Sequence, residues 1–318
     1  MMSQVVMVSL EELVPSNHIY RKFKNLWNFQ TVEKQLRKIE TDNNYKGYGA
    51  LKLFKCLLLQ FMEDLSDREL ERYIQENNTA KWFCDFEIID KTPDFSVFSR
   101  IRQRIGTAKL SKIFQDLRSQ LKEKGYLSEI FNFVDATHLI SKANLWKERD
   151  KAIKAKYEKL NNETLPKVAF DKEARIGCKG KDKYWYGYKK HVSVDMQSGM
   201  INKVAITPAN ITDAKGLKHV CPSQGAIYAD KGYCSKGASN IASYNGCHLA
   251  AIKKNNMKEK NKDLDKWHSK IRSPHERVFA HKNKRTRYIG VIKNQFTAFM
   301  EAICHNLKRL VVLEESYI

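Results

Sequence analysis

Two aspartates at the ends of apolar segments are the first candidates for chemistry in this sequence. Asp135 follows the run FNFV, and Asp230 follows the run AIYA. A carboxylate directly after a buried strand is costly unless it is paired, solvated at the sheet edge or bound to a metal ion. Functional sites also cluster at strand ends in open sheets. The two residues therefore predict either a strand-end site or a pair of strand caps.

A third carboxylate, Glu276, lies in a segment dense in cations, which comprise Arg272, Arg277, Lys282, Lys284, Arg285 and Arg287. Three converging carboxylates could hold two Mg²⁺ ions, because Mg²⁺ prefers oxygen ligands and completes its octahedron with water and phosphate. Two such ions can stabilise both the attacking and the leaving oxygen of a phosphodiester displacement. The structural alternative is that Asp135 and Asp230 cap strands while Glu276 pairs with Arg272. Spacing alone leaves both interpretations open.

The positive charge is concentrated in the part of the chain that carries these carboxylates. The 318 residues have a formal charge of +21, and residues 135–318 contain 36 Lys and Arg against 18 Asp and Glu. Such an excess is more than solubility requires and costs self-repulsion, which a polyanion would relieve. DNA or RNA is therefore the expected partner.

Other classes of protein are excluded by composition. A hydrophobic content of 42% with 11% aromatic residues supports a folded core. Apolar runs are too short to span a bilayer, and the first residues lack the features of a secretory signal. The seven cysteines form no CxxC pair, which argues against a zinc site and favours reduced thiols. We therefore expect a cytoplasmic protein that associates with the nucleoid when it binds DNA.

The first 125 residues are predicted to be helical. Residues 49–62 are apolar on most faces, and Ser66 with Glu69 forms a capping-box pattern ahead of a helix of about ten residues. An Arg-bearing helix starts near Ser96, and Gly125 is a helix stop. Residues 66–105 could form a DNA-reading helix-turn-helix with contacts from Arg100 and Arg104. A plain helical bundle with solvated arginines is the alternative.

Strand patterns dominate after residue 130. Segments 130–141, 186–195, 200–207, 226–230 and 247–253 read as strands, the second and third as an antiparallel hairpin and the fourth as a buried parallel strand. Helices are predicted from Thr212, over 236–244, over 271–285 and over 291–313, with Asn210 and Asp213 in a turn and helix cap. Segment 142–183 is Lys-rich and irregular, with a first part compatible with a helix and the rest predicted to be loop, and segment 254–266 is predicted to be loop. The result is an α+β fold: a helical domain (1–125) followed by a mixed-sheet domain (126–318) with a Lys-rich insertion at about 142–183.

Five segments between about residue 50 and residue 290 match one family in order. They are LLLQFMEDLSDRELERYI with TPDFSVFSRIRQRI, then FVDATHLIS, YGYKKHVSVDMQSGMINKVAITPANITDAKGL, YADKGYCSKG and RSPHERVFAHKNK. Together they resemble the DDE-type transposases of bacterial insertion sequences, in the insertion-sequence-five-like branch. The resemblance implies a helical DNA-end-binding domain and a ribonuclease-H-like catalytic core. It places Asp135, Asp230 and Glu276 as the catalytic and metal-binding acids.

Two positions depart from that family's pattern around the catalytic Glu. The family carries Tyr where this sequence has Ser269, and Lys where it has Asn283. Arg272, four residues before Glu276, is as expected, and Lys282 and Lys284 flank Asn283. The resemblance implies that Arg272 and either lysine contact DNA phosphates. Lys189 and His191, on a strand predicted to neighbour Asp135, are further candidates for the DNA-binding wall, with a plain surface histidine as the alternative for His191. His138 is expected to face away from Asp135.

The implied activity is cleavage at the terminal inverted repeats, followed by joining of the 3′-OH ends to target DNA. Both steps would use two Mg²⁺ ions, for which Mn²⁺ can substitute, and a homodimer would hold the two ends in a synaptic complex. The rival interpretations are a simple metal-dependent nuclease and a non-catalytic or decayed transposase-derived DNA-binding protein. Intact Asp135, Asp230 and Glu276 argue against the last of these.

Overall fold

The computed structural model describes residues 8–41, 47–143, 161–179, 183–257, 260–279 and 284–316. The chain divides into two compact units. One comprises Met1–Ser119 with Phe299–Ile318, and the other is Gln120–Ala298. The sequence pattern predicts a boundary near residue 125 with the end of the chain in the second domain, whereas the final residues of the chain cluster with the first unit. This assignment depends on contacts between distant parts of the chain, which no local pattern encodes.

The first unit is helical throughout its described residues. Its helices are α1 (Leu10–Leu13), α2 (Ile19–Leu26), α3 (Phe29–Glu40), α4 (Ala50–Met62), α5 (Asp67–Glu76), α6 (Asn78–Phe83) and α7 (Phe95–Glu123). Helix α4 lies in the core, with Leu57, Leu58 and Leu59 all fully buried. Ser66 and Glu69 form the expected capping box at the start of α5. The helical prediction for this region is therefore confirmed.

Helix α7 is broken at Gly106, where φ is 64° and ψ is 166°. This backbone conformation is open to glycine and strained for other residues. Eleven residues separate α6 from α7, whereas a helix-turn-helix has a turn of about three or four residues. Arg102 is held inside the unit, because its Nη1 donates to Asp67 (2.8 Å) and to Gln60 (3.1 Å). These features favour the helical-bundle interpretation of this segment.

The second unit is built on a six-stranded mixed sheet. Its strands are β1 (Phe131–Ile140), β2 (Arg175–Lys179), β3 (Lys183–Asp195), β4 (Ile201–Pro208), β5 (Gly225–Ala229) and β6 (Cys247–Ala251). The order β4-β3-β1-β5-β6 combines an antiparallel β4-β3-β1 half with a parallel β1-β5-β6 half. Strand β2 pairs with the first residues of β3. This is the strand order of a ribonuclease-H-like core, so the predicted fold class is confirmed.

Further helices follow the first strand in the chain. They are α8 (Leu165–Val168), α9 (Asp213–Val220), α10 (Lys236–Tyr244), α11 (Lys262–Arg272) and α12 (Val291–Ser316), the last of which begins in the second unit and ends in the first. Leu217 and Val220 of α9 and Ala238 of α10 pack against Val134 and Ile227 of the sheet. The β3-β4 hairpin turns at Gly199, whose φ of 73° explains the glycine.

Three local expectations are wrong. Helix α11 begins inside the expected 254–266 loop, where Asn261 caps it by accepting from the amides of Asp263 and Leu264. The α-helix expected over 271–285 ends at Arg272, and a 3-10 segment covers Ser273–Phe279. Pro274 accounts for this end, because proline lacks an N–H and restricts the residue before it. The Lys-rich segment contains α8 and β2, and its residues 144–160 and 180–182 lie outside the described part.

Candidate functional site

Asp135 and Asp230 lie side by side in the sheet, Asp135 in the middle of β1 and Asp230 directly after the end of β5. Strands β1 and β5 are parallel neighbours, and Phe133 is paired with Tyr228. Asp135 and Asp230 each follow these partners by two residues, so they stand at the same level of adjacent strands, which lie about 4.8 Å apart. Strand register therefore brings together two carboxylates that are far apart in the sequence.

Arg272 joins Asp135 to Glu276. Its Nη2 lies 3.3 Å from Oδ2 of Asp135 and 3.0 Å from Oε1 of Glu276. The guanidinium carbon stands 5.6 Å from the centre of the Phe133 ring. The Arg272 side chain is 10% exposed, and its buried Nε has no hydrogen-bond partner among the described residues. One cationic nitrogen thus serves two of the three predicted catalytic acids.

The electrostatics of Asp135 reflect its burial. Burial raises the pKa of Asp135 to about 6, and the nearby charges of Asp230 and Asp213 act in the same direction. The Ala136 amide, which donates to Asp135 Oδ1 at 2.8 Å, and the Arg272 charge both lower the pKa. Asp135 is therefore a mostly buried carboxyl near two other acids, held by the Ala136 amide and by Arg272.

A fourth carboxylate, Asp213, lies near Asp135 and Asp230. Strand β4 runs parallel to β1 and β5, so the helix that follows it, α9, starts at the end of the sheet towards which all three strands run. Asp213 is the first residue of α9, Thr212 is its N-cap, and Lys189 Nζ lies 2.8 Å from Asp213 Oδ1. The sequence pattern around Asp213 predicts a turn and helix cap. The signal that could have identified it is this placement at the start of the crossover helix.

Gly232 lies between the carboxylates of Asp230 and Asp213. A Cβ atom at Gly232 would stand 2.9 Å from Asp230 Oδ1 and 3.1 Å from Asp213 Oδ2. Asp230 Oδ1 also accepts from the Gly232 amide at 2.7 Å. A side chain here would displace one or both acids, so glycine leaves the space between them open.

Tyr233 is a further residue whose properties depend on Asp135, Asp213 and Asp230. The residue is completely buried, and its hydroxyl has no hydrogen-bond partner among the described residues. Burial is the main cause that raises the pKa of Tyr233, and the charges of Asp135, Asp213 and Asp230 raise it further. A buried phenol normally finds a partner, so this hydroxyl is an unused donor that senses the charges of three acids. No local pattern in the sequence indicates it.

The expectation that His191 forms part of a DNA-binding wall is wrong for this structure. His191 is fully buried, and its Nε2 is 2.9 Å from the Thr207 hydroxyl. Its ring lies where a side chain on Gly216 would have to be. Strand alternation puts its side chain on the sheet face opposite that of Asp135. Lys189 shares that face, is 12% exposed and is engaged with Asp213.

The other predicted DNA-binding cations are placed differently. Lys284 is exposed, and its carbonyl accepts from the Ile140 amide at 2.7 Å, which holds residues 284–286 along the end of β1. Lys282 lies outside the described residues. Arg100 and Arg104 are exposed on α7 in the helical unit. Arg272 is mostly buried between its two acids.

The described residues contain no group of three or more His, Cys, Asp or Glu side chains placed to hold a metal ion. Asp135 and Asp230 nevertheless offer the oxygen ligands that Mg²⁺ prefers, and the open space at Gly232 and the unused Tyr233 hydroxyl adjoin them. Glu276 instead contacts Arg272 and is half exposed. Within the described parts of the chain, no helix combines the length and apolarity needed to cross a membrane.

Two family models match separate parts of this chain. Residues 8–104 match the family model described as a transposase domain (DUF772), and residues 134–307, more than half of the chain, match the transposase DDE domain. No curated protein matches the chain.

Two solved structures are similar over most of the chain. The cryo-EM structure of the piggyBac transposase synaptic complex with hairpin DNA is 8% identical, with 93% of this chain and 75% of that chain covered and a TM-score of 0.40. The crystal structure of a pre-cleavage Mos1 transpososome is 9% identical, with 93% and 96% covered and a TM-score of 0.18. These scores are low, so the fold assignment rests on the strand order of the sheet.

Proposed function

Because the chain belongs to the transposase DDE domain family, we propose that it cuts DNA at insertion-sequence ends and joins the 3′-OH ends to target DNA. The observation that carries the proposal is that Asp135 and Asp230 lie side by side in the sheet, with Arg272 and Glu276 beside them. Acids that bind a metal and cations that bind phosphates are the two groups this chemistry requires.

Asp135 and Asp230 are the proposed metal ligands, with Glu276 as the third. Two Mg²⁺ ions, or Mn²⁺ in their place, would supply Lewis-acid stabilisation of the attacking and leaving oxygens when bound. Glu276 shares Arg272 Nη2 with Asp135 and is half exposed, so its side chain can exchange the arginine for another cation. The paired backbones of β1 and β5 keep Asp135 and Asp230 at the same level while Glu276 changes its partner.

The chain's cations orient the DNA in this proposal. Arg272, once released from its acids, can bind a phosphate with two parallel hydrogen bonds, whereas exposed Lys284 acts as a point charge. Arg100 and Arg104 of the helical unit are proposed contacts to the terminal inverted repeats. A homodimer would supply the two active sites that two transposon ends require.

The direct test is incubation of the purified chain with DNA that contains the insertion-sequence ends, a target plasmid and Mg²⁺. Joined end–target products support the proposal. Nicks or double-strand breaks without joined products would indicate the nuclease alternative. DNA that migrates more slowly on a gel because the protein binds it, but that is not cleaved in either Mg²⁺ or Mn²⁺, would indicate a non-catalytic DNA-binding protein. Inverted repeats flanking the coding region would identify the ends to use in this experiment.

A further inference from the structure

The proposed roles of Asp135, Asp230 and Glu276 do not explain why Lys189 and Asp213 form an ion pair close to them. Both side chains are mostly buried, at 12% and 29% exposure, and the pair is 2.8 Å long. Lys189 engages Oδ1 of Asp213, whereas Oδ2 faces the space at Gly232 that Asp230 also faces. Lysine therefore fixes the orientation of the carboxylate without covering its second oxygen.

Two carboxylate oxygens that face one small space repel each other unless a donor or a cation lies between them. Asp230 Oδ1 accepts a hydrogen bond from the Gly232 amide, which satisfies one of the lone pairs of that oxygen. The hydroxyl of Tyr233 lies in the field of both acids and of Asp135, and it donates to nothing described. An oriented acid, an open space and an unused buried donor all lie at this point.

We propose that Asp213 is a positioning residue of the carboxylate site, oriented by Lys189 so that its free oxygen accepts from water bound to the metal ion at Asp135 and Asp230. Mg²⁺ keeps several waters when proteins bind it, and carboxylates outside the direct ligand set commonly hold such waters. The Tyr233 hydroxyl, which has no partner among the described residues, would donate to the same bound water. This inference rests on the proposed metal-dependent function and adds two residues to its site.

The geometry excludes a purely local role for Asp213. The N-cap function of α9 belongs to Thr212, whose side chain accepts from the Lys215 amide. An acid in the first turn of a helix gains only about 0.3–1 kcal/mol from the helix dipole, and this gain would not require a buried lysine partner. Gly232 gives a second indication, since a side chain there would close the space that the proposal assigns to water.

The test is Mn²⁺ binding to the full-length chain without DNA. Binding is measured as the decrease in the electron paramagnetic resonance signal of free Mn²⁺. Asp213→Asn is expected to weaken Mn²⁺ binding by about 10–100-fold. Tyr233→Phe removes only the hydroxyl and is expected to weaken binding in the same direction. Asp263→Asn is the matched control, because it removes one exposed carboxylate of α11 and is expected to bind Mn²⁺ as the wild type does.

Thermal unfolding without metal separates a structural role from a positioning role. If Asp213→Asn and Tyr233→Phe melt within a few degrees of the wild type and bind Mn²⁺ more weakly, the proposal is supported. If both variants bind Mn²⁺ like the wild type and the Asp263→Asn control, the inference is overturned while the proposed function stands. If the wild type itself shows no saturable Mn²⁺ binding, both the inference and the metal-dependent function fail.

Discussion

The guanidinium of Arg272 lies against the carboxylate of Asp135, with Nη2 3.3 Å from Oδ2, although 137 residues separate them in the sequence. The same nitrogen holds a second acid, and the arginine's Nε has no partner among the described residues. A well-formed arginine fork would use two nitrogens on one carboxylate. This arrangement indicates a cation that neutralises the acids and can be replaced by another.

The first prediction is that Arg272→Met tightens metal binding while it lowers DNA cleavage. Removal of the arginine leaves two acids without their cation, so a metal ion no longer has to displace it. We expect Mn²⁺ to bind about tenfold more tightly, which corresponds to ~1.4 kcal/mol. The variant should melt at a lower temperature without metal and regain more stability with metal than the wild type does.

Arg277→Met is the matched control, because Arg277 is exposed and adjacent to Glu276 in the same 3-10 segment. It removes one positive charge and should leave Mn²⁺ affinity unchanged. Weaker Mn²⁺ binding by Arg272→Met would show that the arginine supports the metal site and does not compete for it.

The second prediction concerns the three proposed catalytic acids. Asp135→Asn, Asp230→Asn and Glu276→Gln should each lower metal-dependent cleavage by about a thousandfold, or ~4 kcal/mol of barrier. The asparagine at 230 keeps an oxygen that can accept from the Gly232 amide, so its effect would not come from loss of the turn. DNA binding should be retained or strengthened, because each change removes a negative charge. Cleavage that survives any one substitution would remove that residue from the catalytic set.

The third prediction is an acid-dependent loss of stability caused by His191. The pKa of His191 is lowered to about 4, and burial is the largest cause. The charges of Lys189 and His219 also lower this pKa, whereas the charge of Asp213 raises it. The unfolded chain takes up this proton near pH 6.5, whereas the folded chain resists protonation until about pH 4. The stabilisation from neutral His191 is therefore complete above pH 6.5 and is lost as the pH falls towards 4. Its size is about 3 kcal/mol.

Urea unfolding at pH 7.5 and pH 4.5 measures this effect. His191→Gln should lose less free energy of unfolding between the two pH values than the wild type, by about 2–3 kcal/mol. His248→Gln changes an exposed histidine and should lose as much as the wild type. Equal losses for the wild type and His191→Gln would show that His191 titrates alike in the folded and unfolded chain.

The fourth prediction separates the arginines of α7. Arg102 is 10% exposed and bound to Asp67, so Arg102→Ala should destabilise the helical unit by about 2–4 kcal/mol. The double variant Arg100→Ala with Arg104→Ala should preserve stability and reduce the salt dependence of DNA binding by about two ions. A charge-matched pair on α3, Lys34→Ala with Arg37→Ala, is the control. Equal salt slopes for the two double variants would argue against a DNA contact by Arg100 and Arg104.

Local patterns in the sequence were sufficient for several features. Apolar runs that end in Asp identified Asp135 and Asp230, because the cost of burying a carboxylate can be recognised from its neighbours alone. Ser66 and Glu69 indicated the start of α5, because a capping box involves only residues within one helical turn. The glycine at 199 indicated the hairpin. Each of these signals depends on residues within a few positions of one another.

Only the tertiary structure decided which side chains meet. Arg272 reaches Asp135, and Asp213 faces Asp230, because strand order and register bring the ends of β1, β4 and β5 to one end of the sheet. The same register buries His191, which its neighbours in the sequence left as a candidate for DNA contact. Distances between remote residues depend on the whole sheet. The sequence therefore named candidate acids from their local surroundings, whereas the side chains that they meet could be found only in the fold.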